Sequence, residues 1–486
     1  MTGIVSFGAY VPATRLPLEL IAGRPTKDGG PERAVAAHDE DAITMAVAAG
    51  VDALHGIERG NIDALYLAST SLPYREKSAA ALVAKALDLR RAVRTLDVGA
   101  SLRAGVGALA AAHDAIASGA AKRVLVIASD ARLAAPRSAL ERDLGDGAAA
   151  FVVGSEGAVA TLVARHAVAD EIVDVWRTED DAFLRAWEDR FVVQHGYHRN
   201  VVEVVTGLLA TAGVAAADVA RIALPGPDAR SIAAAAKSAK LAADRLGPAL
   251  FGQLGHTGVA FAPMLLVHAL ESGGLTTGDR LACVAHGNGA EALLFTVTAD
   301  LAHHRAPRGV AGHLRRRRAL ASYQSYLASR GLGPTEHDAK AGGGVPATVA
   351  YRERDAELSL HGFRCRGCGT MHFPHHRVCY RCHARDSFET VRLSDRVGRV
   401  LSYSFDWFFP NPEPPTIVGV VEVEGARFYA QMCDARTEQL RCDLPIELVF
   451  RRIHEAGGRP NYFWKSTPLV GAAFDTDAAN AALGPR

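Results

Sequence analysis

No charge of either sign dominates this 486-residue chain: Lys and Arg number 54, Asp and Glu 53, and the formal net charge is +1. That balance supplies no long-range pull toward nucleic acid or an acidic membrane. Apolar runs are short, and none approaches the length needed to cross a bilayer. The N-terminal Met1-Thr2-Gly3-Ile4-Val5-Ser6-Phe7 lacks the basic region and apolar core of a signal peptide and reads as a first strand. Cysteine is sparse, with seven residues in all, and four of them stand in metal-ligand spacing. A disulfide framework is therefore not expected, and a reducing, cytoplasmic setting is.

What is present is an Ala-, Val- and Leu-rich segment over residues 1 to about 300. Strand-like runs such as Ala64-Leu65-Tyr66-Leu67-Ala68 and Arg123-Val124-Leu125-Val126-Ile127-Ala128 alternate with helix candidates over 78–88 and 102–118. The alternation predicts a layered α/β fold with a buried sheet. An internal repeat divides it. Arg123–Ala128 is followed by Gly145-Asp146-Gly147-Ala148, and Arg280–Ala285 by Gly287-Asn288-Gly289-Ala290, each reading as strand, turn, strand. The Gly-x-Gly pairs are too short for a phosphate cradle and read as tight turns.

Beyond residue 300 the pattern changes. His313–Arg330 reads as one basic helix, with Arg315–Arg318 as a solvated face, and Ala341-Gly342-Gly343-Gly344-Val345-Pro346 as a linker. After it come two Cys-x2-Cys pairs, Cys365/Cys368 and Cys379/Cys382, ten residues apart. Each pair fits one tight knuckle, and two knuckles close a tetrahedron of thiolates with no position left for water, so a structural zinc site is expected. His372, His375, His376 and His383 lie nearby but are not needed as ligands. Cys283 falls in a strand and reads as a buried small hydrophobe, while Cys433 and Cys442 carry no motif. The remaining chain predicts short strands at 398–405, 416–423, 427–432 and 445–450, which suits a small barrel. Phe405, Trp407, Phe408 and Phe409 are read as core and loop packing ahead of an acyl or partner surface.

Residues 1–300 resemble the thiolase-fold condensing enzymes, nearest the 3-hydroxy-3-methylglutaryl-CoA synthase and ketoacyl-synthase branch. The resemblance rests on Asp39-Glu40-Asp41-Ala42-Ile43-Thr44-Met45, on Ser69-Thr70-Ser71 with Lys77–Ala81, and on Leu96–Gly105. It also rests on Leu254-Gly255-His256-Thr257-Gly258 and Gly287–Ala290. Residues 350–470, ending in Asn461-Tyr462-Phe463-Trp464-Lys465-Ser466-Thr467-Pro468, resemble the zinc-ribbon and barrel proteins that accompany thiolases and such synthases. The expected fold class is thus α/β: a duplicated thiolase-like fold, layered αβαβα, followed by a rubredoxin-like zinc ribbon and an all-β OB barrel. The expected domains are the two thiolase-like halves at 1–165 and 166–300, and a basic helix with linker at 301–350. The ribbon follows at 351–390 and the barrel at 391–475.

The resemblance implies Claisen-type chemistry on an acyl-CoA, through a cysteine at a helix N-terminus assisted by histidine or asparagine. Here that cysteine's position falls on Leu102, with Ser101 beside it. The synthase's acidic position falls on Thr70, and the family's histidine before a proline is replaced within Leu224-Pro225-Gly226-Pro227-Asp228. His256 occupies the synthase's asparagine position, where thiolases carry a catalytic histidine. Ser101 is one residue away from the nucleophile position, and a helix turns about 100° per residue. It reads as a cap of a helix starting at Leu102 before it reads as a nucleophile. Candidate catalytic residues are accordingly His256 and Ser101, with Cys365, Cys368, Cys379 and Cys382 for Zn2+. Three functions are consistent with these features. One is a degenerate synthase-like subunit that binds or channels acyl-CoA with a separate thiolase. The others are a self-sufficient acyl-CoA enzyme using His256, and a scaffold without a CoA site. A homodimer is implied by the family; no nucleic-acid or membrane partner is expected.

Overall fold

A computed structural model describes residues 1–187, 189–304, 306–332, 345–409, 411–456 and 458–469. The expected glycine linker at 341–344, Gly333, Pro334, Pro410 and the last residues of the expected barrel domain lie outside these. The chain forms two compact units. The first comprises Met1–Ala37, Asp41–Ala84 and Leu89–Tyr323; the second comprises His38–Glu40, Lys85–Asp88 and the chain from Gln324 onward.

The first unit is built on nine strands: β1 (Gly3–Tyr10), β2 (Ala64–Ala68), β3 (Arg94–Val98), β4 (Arg123–Asp130), β5 (Gly147–Gly154), β6 (Ala160–Ala169), β7 (Val219–Ala223), β8 (Arg280–His286) and β9 (Gly289–Val297). Their order is β7-β8-β9-β6-β1-β5-β4-β2-β3. The duplication is visible in the pairing. β2 runs parallel to β4, β4 antiparallel to β5, and β5 antiparallel to β1. In the other half β7 runs parallel to β8, β8 antiparallel to β9, and β9 antiparallel to β6. The two repeated sequence segments are therefore the same β-hairpin-like pair, β4/β5 and β8/β9. β6 spans the expected boundary at 165/166 and pairs with the second half.

Four helices of this unit place the site: α1 (Ala42–Ala53), α2 (Ala104–Ala117), α3 (Arg199–Ala212) and α4 (Phe261–Glu271). α2 and α4 each touch strands of both halves, so they form the central layer. Helices in that position must be apolar on every side, which accounts for the Ala-rich α2 and for Phe261-Ala262-Pro263-Met264-Leu265-Leu266-Val267 in α4, all buried. α1 covers one sheet half and α3 the other. α1 starts at a capping box in which the Asp41 carboxylate accepts from Ile43 N and Thr44 N, both at 2.9 Å. α3 buries Val201, Val204, Val205 and Leu208, a spacing that puts them on one face.

The expected single basic helix at 313–330 is replaced by two short ones, Gly309–Arg315 and Tyr323–Ser329. Between them the Arg318 amide donates to Ala13 O at 2.8 Å and the Leu320 amide to Arg15 O at 2.9 Å. A tertiary strand ladder thus overrides local helix propensity. The Arg317 guanidinium meets Glu32, so the run is not wholly a solvated face.

In the second unit a helix at Ala347–Glu357, not expected from the sequence, precedes strands β10 (His361–Cys365), β11 (Met371–His372) and β12 (Phe388–Arg392). A closed five-stranded barrel follows, with β13 (Gly398–Asp406), β14 (Thr416–Val423), β15 (Ala426–Met432), β16 (Pro445–Ala456) and β17 (Arg459–Pro468) in the order β13-β14-β15-β17-β16. Phe405, Trp407, Phe408 and Phe409 are exposed, Phe408 at 97%, rather than packed as the sequence reading favoured. No helix among the described residues is long and apolar enough to cross a membrane.

Candidate functional site

The site forms where the central helices begin. Leu102, two residues before α2, lines an inner cavity of about 160 Å³ and an outer one of about 390 Å³. Arg132, Asp174, Val175 and Leu184 are also shared by both chambers. The turn leading to Leu102 holds Ala100 at φ +69°, a left-handed conformation that costs a non-glycine residue about 1 kcal/mol. Strain of this kind gathers where a backbone must aim a side chain.

The helix begins at Ala104 rather than Leu102, so Arg103 and not Ser101 is its N-cap. The Ser101 hydroxyl donates to Gly287 O at 2.8 Å and accepts from the Arg103 amide at 3.4 Å. The proton a nucleophilic serine would have to release is thus engaged by a backbone carbonyl.

His256 lies in the inner cavity, held by its backbone. Its amide donates to Asp143 O at 2.7 Å, and its carbonyl accepts from Gly145 N at 3.1 Å. Glycine is required here. A Cβ on Gly145 would stand 2.1 Å from Leu254 O, and one on Gly255 2.5 Å from Leu144 O. Two pure donors, Gly258 N at 3.2 Å and Arg132 Nη2 at 3.1 Å, reach the ring at Nδ1. Nδ1 must therefore accept, and the ring proton resides on Nε2. Burial, then the Arg132 charge, hold the His256 pKa down to about 3, so the ring is a neutral Nε2–H donor at physiological pH.

Behind the site lies a carboxylate the sequence analysis did not select. Asp130, at the end of β4 and fully buried, accepts from Ser69 Oγ at 3.1 Å, Thr70 Oγ1 at 2.9 Å and Ser71 Oγ at 2.8 Å. It also accepts from the amides of Thr70 and Val259. It ties the Ser69-Thr70-Ser71 strip to the turn entering α4. Its signal in the sequence was a lone acidic residue closing an apolar strand. Arg132 and His286 were likewise passed over; His286 closes the apolar β8 directly before the Gly287-Asn288-Gly289 turn. From the Leu224–Asp228 segment, Pro225, Gly226 and Pro227 line the inner cavity, and Asp228 caps the next helix by accepting from Ser231 N. Among the described residues, none lining the inner cavity is a cysteine, serine, threonine or lysine, while Ser69, Thr70 and Ser101 line the outer one.

The four cysteines of the second unit converge. Their sulfurs all lie within 4.8 Å of one another, with Cys365–Cys382 at 3.5 Å and Cys368–Cys379 at 3.6 Å. Thiolates about 2.3 Å from a zinc ion in a tetrahedron stand about 3.8 Å apart, so the set fits that ion. The two knuckles repeat one geometry. Gly369 N donates to Cys365 O and His383 N to Cys379 O, and both Gly369 and His383 are left-handed. Cys283 is fully buried, and burial pushes its thiol up to about 12.

Two profiles of 3-oxoacyl-(acyl-carrier-protein) synthase III match the first unit, the main one over residues 96–170 and its C-terminal one over 209–297. HMG-CoA synthase solved in complex with CoA superposes with a TM-score of 0.60 at 19% identity, over 69% of this chain and 92% of that one. The first unit is thus a thiolase-like condensing-enzyme fold. Among curated proteins, hydroxymethylglutaryl-CoA synthase of Pyrobaculum aerophilum is 30% identical over 343 residues, covering 68% of this chain and 97% of the relative. The Methanocaldococcus jannaschii synthase is 29% identical over 309 residues, covering 61% and 89%. The chain belongs to the hydroxymethylglutaryl-CoA synthase family of condensing enzymes.

Proposed function

We propose that this chain is a degenerate synthase-like subunit that binds an acyl-CoA thioester without forming an acyl-enzyme, and works with a separate thiolase. The observation that carries this reading is Leu102 at the position the family gives its nucleophilic cysteine: the inner cavity offers no thiol or aliphatic hydroxyl among the described residues, and in the outer one the hydroxyls of Ser69 and Thr70 are bound to Asp130 and that of Ser101 to Gly287 O. The framework around it is retained. The His256 Nε2–H supplies a neutral donor for a thioester carbonyl oxygen, a role in which a preorganised hydrogen bond strengthens as charge develops. Zn2+ on Cys365, Cys368, Cys379 and Cys382 would hold the two knuckles together as a structural ion. The barrel is read as an OB type; its order, with β15 parallel to β17, supports that reading. A homodimer is proposed from family membership.

Free CoA release from acetyl-CoA and longer thioesters tests this, with zinc-replete protein alone and with a thiolase encoded beside it. No release alone and a gain on adding the thiolase is the expected result. Turnover alone that disappears in His256→Ala would instead establish a self-sufficient enzyme. The neutral donor His256 beside Arg132 is the observation that favours that second reading, for thioester transfer or decarboxylation. Absence of acyl-CoA binding would leave only a scaffold.

A further inference from the structure

A second histidine reaches the same inner cavity. His286 is the last residue of β8, and its ring stands 5.4 Å from the Tyr197 ring in an edge contact. Tyr197 itself is fixed, its hydroxyl donating to Pro225 O at 2.9 Å. The His286 Nε2 is buried and makes no hydrogen bond to the described residues. Burial keeps the ring neutral, and a neutral imidazole carries its proton on one nitrogen and a lone pair on the other. His256 has its tautomer fixed, since its Nδ1 accepts and its Nε2 is left to donate. One cavity therefore holds a neutral donor and a neutral acceptor on two different chain segments.

We propose, on the reading that acyl-CoA binds here, that His286 is the base that removes a proton from the α-carbon of the bound thioester. The C–H bond breaks, and its electron pair forms the enolate C=C while the carbonyl pair moves onto oxygen. The proton joins the free nitrogen of His286, and the oxyanion is met by His256 Nε2–H. No acyl-enzyme, oxidant or metal is needed, so the step is compatible with Leu102. The imidazolium that results has two carboxylates to steady it. Asp174, buried and lining both chambers, and Asp170, fixed by Asn200 Nδ2 at 2.8 Å, both favour the protonated ring. They oppose the burial that otherwise disfavours its charge. The order of roles is that of a base steadied by a carboxylate.

The test is exchange of the acetyl-CoA methyl protons in D2O, followed by NMR with the full-length zinc-replete protein, with acetyl-CoA binding measured separately by calorimetry. Wild type should exchange the methyl protons. His286→Gln and His286→Asn should lose exchange at least a hundredfold while binding within about threefold of wild type, given general-base contributions of roughly 10²–10⁴. Added imidazole should restore exchange to His286→Ala, which a purely structural role would not allow. Binding without exchange in wild type, or exchange that persists in both variants, overturns the assignment. A wild type that does not bind acetyl-CoA overturns the underlying reading as well, and so separates the two failures. If the variants lose their fold, as read by thermal unfolding, imidazole rescue of whichever alanine or asparagine variant stays folded decides the matter; failure of rescue overturns it.

Discussion

On the proposed reading, leucine at position 102 stands in place of a reactive group without emptying the site. The side chain lines both chambers, beside the strained turn at Ala100 and the fixed His256. Restoring a thiol is therefore a residue-scale experiment. Leu102→Cys should gain one acyl group by intact-mass spectrometry on incubation with acetyl-CoA, because a thiol near a helix N-terminus is acidified. Retained acetyl-CoA binding with no adduct would show that the aim of the turn, as well as the nucleophile, has been lost. Much of this was legible in the sequence. Short motifs singled out His256 and Leu102, which the fold brings to one cavity. Arg132, Asp130 and His286 were not singled out, since each sits at the end of an apolar strand and acquires meaning only from residues 60 to 130 positions away.

At the scale of elements, the central layer depends on close approach. A Cβ on Gly105 would stand 2.3 Å from Val259 O, at the turn entering α4, whereas one on Gly107 would meet only the far end of Glu291 at 3.2 Å. Gly105→Ala should destabilise by about 2 kcal/mol through overpacking. Gly107→Ala should be neutral or stabilising by up to about 1 kcal/mol from helix propensity. Chemical denaturation of the two variants checks the contrast, and equal effects would contradict the packing argument. The cysteine knuckles are the other element with a sharp expectation. Cys379, fully buried, is one of four donors, and Cys379→Ser should release zinc by metal analysis and lower the thermal midpoint. The knuckles were readable from spacing because both ends of each ligand pair are local. The helix at 347–357 was not, since it is short of apolar spacing and buries no residue fully.

The whole molecule holds several histidines neutral in its interior. Burial, then Arg165, lowers His113 to about 4, and burial with Arg132 lowers His256 to about 3. The unfolded chain binds protons on these rings near pH 6.5 that the folded chain refuses, so stability is full above that pH and falls as pH drops toward 4. For His113, 2% exposed, the loss amounts to about 3 kcal/mol at 1.36 kcal/mol per pKa unit. Replacing it by Gln should flatten the stability profile between pH 6.5 and 4, measured by urea unfolding; an unchanged slope would remove His113 as its source. The sequence by itself determined the α/β class, the repeat of β4/β5 in β8/β9, four of the five barrel strands and the four-cysteine cluster, because hydrophobic period, turn residues and ligand spacing are local properties. Tertiary structure alone decided that the basic stretch breaks into two helices around a strand ladder. It also decided that Ser101 spends its hydroxyl on Gly287, and that His256 and His286 share one cavity. Those outcomes depend on partners brought together from distant positions, and chain periodicity carries no record of which partner arrives.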